Sequence, residues 1–288
     1  MLELIEASAA QLEAAGLTFE NGFGQGTTNA FDEAAWLVLW QLGLPLDDLD
    51  SVSNKPVAPA EIAQVATLLG ARISTRQPAA YLTHEAWLMG VPFYVDERVI
   101  IPRSLIAELL VDESIDPWLG EDTKRVLDLC TGNGSLAVLA AMTYPDVTVD
   151  AADISADALA VARINIDKHA LASRITLMES DGLAACPGHY DLILCNPPYV
   201  NAASMAALPA EFKAEPSLAL GGGTDGMDFI RSLFLTAAAH MSENAVLVLE
   251  IGNERDNFER AFPQLEPLWF ETSAGSDQVM LITREQLV

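Results

Sequence analysis

The sequence predicts an α/β protein: a small helical N-terminal domain, a β-hairpin linker, then a seven-stranded, mostly parallel sheet with helices on both faces. Three observations carry this prediction. From Arg125 onward, short β-rich apolar runs alternate with segments of helical periodicity, the pattern left by crossover connections between parallel strands. Before about residue 85 the apolar spacing is helical throughout. The last two apolar runs have no helix between them, so that pair is expected to be antiparallel. The boundaries that follow are 1–85 for the helical domain, 86–120 for the hairpin and linker helix, and 121–288 for the sheet domain.

Each element has its own signal. Leu2, Leu4, Ile5, Leu12 and Leu17 give the first helix an apolar face. Asn29 is placed to cap a second, from Ala30 to Leu42, with Trp36, Leu37 and Trp40 on its buried side. Pro59 to Ala71 forms a third, with Ile62, Val65, Ala66 and Leu69 at helical spacing. Gly22 to Thr28 and Pro45 to Pro59 read as loops. Trp87 to Val95 reads as a hairpin turning near Gly90. After Pro102 a short helix, Ser104 to Val111, leads into the acidic loop Asp112 to Asp122. The expected strands are Arg125–Leu129, Thr148–Ala152, Ile175–Glu179, Asp191–Cys195, Ala245–Ile251, Leu265–Phe270 and Gln278–Thr283. The expected helices between them are Leu136–Thr143, Ala156–His169, Met227–Met241 and Asn253–Phe262.

Composition narrows the function classes. Of 288 residues 51% are hydrophobic, ample for a real core, yet no apolar run approaches the roughly 18 residues of a membrane span. The acidic start, Met1 to Glu6, lacks the basic region of a secretory signal. Cys130, Cys186 and Cys195 form no CxxC pair, which suits reduced thiols in the cytoplasm. Four scattered histidines offer no ligand spacing, so no metal site is expected. A net charge of −26 argues against a protein that coats nucleic acid and favours either a basic partner or a salt-adapted source. The charge is shared along the chain, −12 over residues 1–120 and −14 over 121–288, so no acidic tail explains it.

In an open α/β sheet, ligands bind beyond the carboxyl ends of the strands. At or just beyond the ends of four expected strands lie Asp128, Asp153, Asp181 and Asn196. The loop Cys130-Thr131-Gly132-Asn133-Gly134 follows Asp128, and its glycines allow a tight turn and close backbone approach. Asp153, with Ile154 beside it, is placed to accept two ribose hydroxyls; Asp181 can take an adenine amine while Gly182 leaves space beside the ring. An acid at Asp128 would repel a pyrophosphate but can bind an amino-acid ammonium. The loop also lacks the third glycine of a nicotinamide fingerprint, position 137 being Ala. The set therefore favours S-adenosylmethionine, and the sheet is expected to be a Rossmann-like S-adenosylmethionine-dependent methyltransferase sheet.

Asn196-Pro197-Pro198-Tyr199 names the chemistry. The prolines fix φ and donate no N–H, so the turn presents acceptors in fixed directions. The Asn196 side-chain oxygen and the Pro197 carbonyl can hold a planar NH2 while Tyr199 stacks on it and supports charge developing on nitrogen. An amide nitrogen is a poor nucleophile, so orientation is what such a site must supply. No His or Glu adjoins the motif in sequence as a base.

With these motifs the chain resembles the glutamine N5-methyltransferases that modify translation proteins. The resemblance covers most of the sequence and includes Arg103 after Pro102, Asp128 to Gly134, Asp153, Asp181, Asn196 to Tyr199, Glu215-Pro216 and Gly221 to Gly226. It implies that Asn196, Pro197 and Tyr199 orient the glutamine amide, with Pro198 and Arg103 on the substrate side. It also implies that Asp153 and the Gly132/Gly134 loop hold the cofactor. Gly221 to Gly226 alternatively reads as a flexible surface connection. One group of the family acts on peptide-chain release factors, another on a basic ribosomal protein, number three of the large subunit. Cys130-Thr131-Gly132 and Pro102-Arg103-Ser104 look like the ribosomal-protein group. A release factor is the alternative substrate. Adenine-N6 methylation of DNA, a nicotinamide oxidoreductase and a non-catalytic partner subunit are further readings. No membrane and no sequence-specific nucleic acid is expected as a partner, and the oligomeric state is left open.

Overall fold

The computed structural model describes residues 1–19 and 21–288. They fall into two compact units, one of residues 1–86, 95–97 and 208–215, the other of 87–94, 98–207 and 216–288.

The first unit is helical: α1 (Leu2–Ala14), α2 (Ala30–Gln41), α3 (Leu49–Val52), α4 (Pro59–Thr75) and α5 (Ala79–Thr83). Its core joins Ile5, Leu12 and Leu17 to Leu37, Val38, Val65 and Leu69. The expected cap of α2 forms: the Asp32 N–H donates to the Asn29 side chain at 2.9 Å. Leu37, Val38 and Leu39 take the fully buried side of α2, while Trp36 and Trp40 are half-buried. The α4 helix continues past Ala71 because its last turn carries a different anchor. Arg72, fully buried, donates to Glu33 at 2.8 Å, to Glu211 at 3.2 Å and to the Gly22 carbonyl at 2.5 Å. Arg76 adds a second cation to Glu211, 2.6 Å away. Ile73 continues the apolar face beyond Leu69, and the ionic contacts of Arg72 and Arg76 tie residues 208–215 to the helices.

The hairpin pairs β1 (Ala86–Leu88) with β2 (Val91–Phe93). Met89 and Gly90 at φ 48 and 77 form its two-residue turn, both in the left-handed region that primed turns demand. α6 (Ile106–Val111) follows. The sheet comprises β3 (Arg125–Leu129), β4 (Thr148–Asp153), β5 (Ile175–Glu179), β6 (Tyr190–Cys195), β7 (Met241–Glu250), β8 (Leu268–Trp269) and β9 (Val279–Thr283). Its spatial order is β5-β4-β3-β6-β7-β9-β8. The five strands from β5 to β7 are parallel; β9 runs antiparallel to both β7 and β8. The helices are α7 (Ser135–Thr143), α8 (Ala156–Lys168), α9 (Ala202–Ala207), α10 (Asp228–Thr236) and α11 (Arg255–Ala261).

Two expectations are corrected here. The helix expected over Met227–Met241 stops at Thr236, because residues 237–240 wind as a 3-10 turn and Met241 already pairs with Tyr190 in the sheet. The strand expected over Leu265–Phe270 shrinks to β8, which begins directly after Pro267, a residue with no N–H for a ladder.

Successive residues of the central strands face opposite cores. Val126, Leu194 and Val248 pack with α6 and α7, while Leu127, Ile193 and Leu247 pack with α10 and α11. Sequence order reverses between β3 and β6, so the crevice between their carboxyl ends is the ligand-binding position of an open α/β sheet. Among the described residues no helix is long and apolar enough to cross a membrane.

Candidate active site

Chain direction changes sharply after β3. Cys130, Gly132 and Gly134 have φ of 63, 55 and 81, so three of five residues are left-handed before α7 begins. A Cβ at Gly134 would lie 3.1 Å from that of Ala162, so the loop packs directly on α8. A Cβ at Gly132 would meet nothing within 4 Å, so its backbone faces open space. The neighbouring strand holds the loop in place. Asp153 accepts from the Gly132 N–H and, on its other oxygen, from the Ser155 N–H, each at 2.9 Å. Burial raises the Asp153 carboxyl above its usual range against the pull of these bonds. Asn165 of α8 completes the frame: it donates to the Asn133 carbonyl at 2.9 Å and brackets the Tyr94 backbone with bonds of 2.7 and 3.0 Å.

Asp128 lies beneath the loop, 1% exposed. One oxygen accepts from the Thr131 hydroxyl and, at 2.9 Å, from the Ala137 N–H; the other has no partner. Burial pushes its carboxyl up to about 7, although both bonds favour the anion. The Asn133 side-chain nitrogen is likewise buried without a partner. The Cys130 thiol is pushed well above its usual range by its hydrogen bond to Cys195 and then by burial, so it is held as a thiol.

Beyond β6 the turn Asn196–Tyr199 is clamped from the far side. The Val200 N–H donates to the Leu220 carbonyl at 2.8 Å, and the Gly222 N–H donates to the Val200 carbonyl at 2.9 Å. A Cβ at Gly222 would lie 2.7 Å from the Pro198 carbonyl oxygen and 2.8 Å from the Tyr199 Cα, so only glycine lets the loop approach this closely. Gly226, at φ 79, lies equally close to the Tyr199 carbonyl. Residues 221–226 therefore form a fitted clasp, anchored by the Asp225–Arg231 ion pair at 2.5 Å. Asn201, just past the turn, donates to Glu254 at 2.6 Å.

These groups border a cavity of about 590 Å3 at the strand ends. Cys130, Thr131, Gly132, Asp153, Ile154, Asp181, Gly182, Asn196, Pro198 and Arg103 line it. Four expected site residues do not. Asp128 and Gly134 support the loop from behind, Pro197 is buried, and Tyr199 turns its ring onto Gly252 and its hydroxyl toward Glu250 at 3.3 Å. Among the described residues the Asn196 side chain has no hydrogen-bond partner, so its amide is available to a ligand. Sequence reasoning missed Glu250, Asn133 and His240. Glu250 had the same signal as Asp128, an acid ending an apolar strand. His240 joins the cavity wall only through the fold, with its buried Nδ1 unpartnered. Among the described residues no cluster of three or more His, Cys, Asp or Glu is arranged to hold a metal.

Residues 107–223 match the family model described as methyltransferase small domain. A ribosomal protein uL3 glutamine methyltransferase from Bordetella pertussis is 51% identical over 288 residues, covering 99% of this chain and 95% of that protein. The chain belongs to the ribosomal protein uL3 glutamine methyltransferase family. Members from Burkholderia pseudomallei and Bradyrhizobium diazoefficiens are 51% and 44% identical, each over 92% of this chain and over 89% and 86% of their own lengths. Among solved structures, the hMettl16 catalytic domain in complex with a MAT2A 3′UTR hairpin is similar at a TM-score of 0.51, over 78% of this chain and 81% of that one. At 13% identity that similarity concerns the fold alone. The family is the one the Asn196–Tyr199 turn and the Asp128–Gly134 loop suggested, and its members are protein-glutamine methyltransferases.

Proposed function

We propose that this chain methylates the side-chain amide nitrogen (N5) of a glutamine in ribosomal protein uL3, using S-adenosylmethionine. The observation that carries the reading is that Asn196, unpartnered among the described residues, borders the same cavity as Asp153 and the Gly132 loop. One wall thus offers an acceptor for an amide N–H; the other offers a carboxylate and open backbone for a nucleoside.

The residues present fit the cofactor. The unpartnered oxygen of Asp128 and nitrogen of Asn133 are polar positions beside the loop where an amino-acid head group, directly or through water, completes the bonding. Asp153 keeps lone pairs for ribose hydroxyls beyond its two backbone bonds. Asp181 and Gly182 border the region assigned to the base, and a Cβ at Gly182 would meet nothing within 4 Å. S-adenosylmethionine held by these residues would supply an electrophilic methyl carbon to the amide nitrogen, with the thioether as leaving group and one amide proton lost.

The chain itself contributes orientation. Asn196 accepts from the amide N–H, Pro198 and Arg103 flank the amide, and the buried Pro197 fixes the turn that presents Asn196. Tyr199 supports the turn with its ring and hydroxyl. The helical N-terminal domain, residues 1–85, takes the protein substrate, and the acidic surface steers a basic partner toward it. A cytoplasmic setting suits that substrate.

The test offers labelled S-adenosylmethionine with uL3, a release factor and DNA in parallel. Label is expected in uL3, at a single glutamine. Asn196→Ala should lower turnover by about 1,000-fold while cofactor affinity stays within a few-fold. Label in release factor alone, or in DNA alone, overturns the substrate assignment.

A further inference from the structure

Glu250 ends β7 as a carboxylate only 3% exposed. Among the described residues no Lys or Arg is paired with it; its partners are all neutral donors. One oxygen accepts from the Ser104 hydroxyl at 2.6 Å and the Leu105 N–H at 2.9 Å. The other accepts from the Tyr199 hydroxyl at 3.3 Å. The carboxylate therefore bridges two segments almost a hundred residues apart in sequence, the Pro102-Arg103-Ser104 turn and the Asn196–Tyr199 turn. Arg103, Ser104, Asn196 and Pro198 all border the cavity. Two residues beyond Glu250, Gly252 at φ 52 forms a flat seat for the tyrosine: a Cβ there would lie 2.5 Å from the Tyr199 ring. Residues 250–252 thus fix Tyr199 by both its hydroxyl and its ring face. A buried carboxylate without a cation is costly to keep, and a neutral residue would fill the site more cheaply unless the bridge has a use.

We propose that Glu250 is a positioning residue for the methyl acceptor, setting the Arg103–Ser104 turn and the Asn196–Tyr199 turn in register across the cavity. The inference rests on the reading of Asn196–Tyr199 as the amide-binding turn. It predicts a split in kinetics. Glu250→Ala should lower kcat on uL3 about 100-fold and leave cofactor affinity within threefold, because the Asp153 side of the cavity does not depend on the bridge. Glu250→Gln should retain much of the activity, since one oxygen can still accept from Ser104 and Leu105 while its NH2 donates to the tyrosine oxygen. Adding Tyr199→Phe to Glu250→Ala should cost less than threefold more, because both changes cut the same link.

Hydrogen exchange supplies a readout without turnover. In Glu250→Ala, or in Tyr199→Phe with Ser104→Ala should that variant not fold, exchange at the Leu105 and Val200 amides should rise together. Parallel losses of kcat and cofactor affinity, multiplicative effects in the double variant, or faster exchange at Leu105 alone would each overturn the proposal. A wild-type enzyme that labels none of the three substrates overturns the functional reading instead, and the exchange result still decides the bridge.

Discussion

In the helical unit the buried carboxylates of Glu33 and Glu211 share the guanidinium of Arg72, whereas in the larger unit those of Asp128 and Glu250 meet only hydroxyl and amide hydrogens. The pairs differ in what they can do. Each Arg72 guanidinium nitrogen has a partner in Glu33, Glu211 or the Gly22 carbonyl, and this network joins distant stretches of chain, with one Glu211 oxygen buried and unpartnered among the described residues. Asp128 and Glu250 end strands beside the cavity, and burial raises both carboxyls above their usual range. Asp128 has an oxygen to spare. Glu33 is raised by burial as well, so the difference lies in the cation: the acids of the helical unit are fixed to a guanidinium, whereas those at the strand ends are held only by neutral donors.

The contrast is easiest to break at Arg72. Arg72→Ala leaves two buried carboxylates without their shared cation and should cost about 3–5 kcal/mol in urea unfolding, with cofactor affinity unchanged. A loss below about 1 kcal/mol would show that the network anchors nothing.

Asp128→Asn probes the opposite case through pH. The carboxyl moves from 3.8 in the unfolded chain to about 7 in the folded one, so folding takes up a proton. Its penalty is absent below about pH 4, grows up to about pH 7 and is constant above, reaching at most roughly 4 kcal/mol. Relative to wild type, Asp128→Asn should therefore be more stable at pH 8 than at pH 4.5, as read by urea unfolding. Equal effects at both pH values would remove the distinction between the two kinds of acid.

Gly226→Ala sharpens the comparison on the catalytic side. It places a Cβ against the Tyr199 carbonyl at a φ of 79, and should lower kcat up to about 100-fold with cofactor affinity intact. The smallest change is in the helical unit. Asn29→Ala removes one neutral cap, worth about 1 kcal/mol of stability, with no effect on turnover of the remaining folded enzyme. Thermal unfolding of that variant calibrates how much larger the Arg72 effect is.

Much of this fold was legible because local signals were redundant. Arg125–Leu129 and Ile175–Glu179 form strands at the expected residues, where short apolar runs lie between polar turns. The missing helix between the last two strands correctly foretold their antiparallel pairing. The errors fall where local and tertiary preferences part. Ala237-Ala238-Ala239-His240 contains no helix breaker, yet pairing of Met241 with Tyr190 ends the helical path before it. Residues 221–226 read equally well as a flexible connection, because their fit against Pro198 and Tyr199 spans more than twenty residues of chain.

The sequence by itself determined which polar residues stand at the strand ends. Short β-rich apolar runs with polar ends place Asp128, Asp153, Asp181 and Asn196 at the carboxyl edge of one sheet, since parallel strands all end on that edge. Tertiary structure decided which of them face the cavity and what holds them there. Asp128 lies behind the loop, Tyr199 turns toward Glu250, and Arg72 collects two acids from distant segments. Those outcomes depend on contacts across 51, 39 and 139 residues, as in Tyr199–Glu250, Arg72–Glu33 and Arg72–Glu211. Local periodicity says nothing about partners at such separations, because they meet only when the sheet and helices have packed.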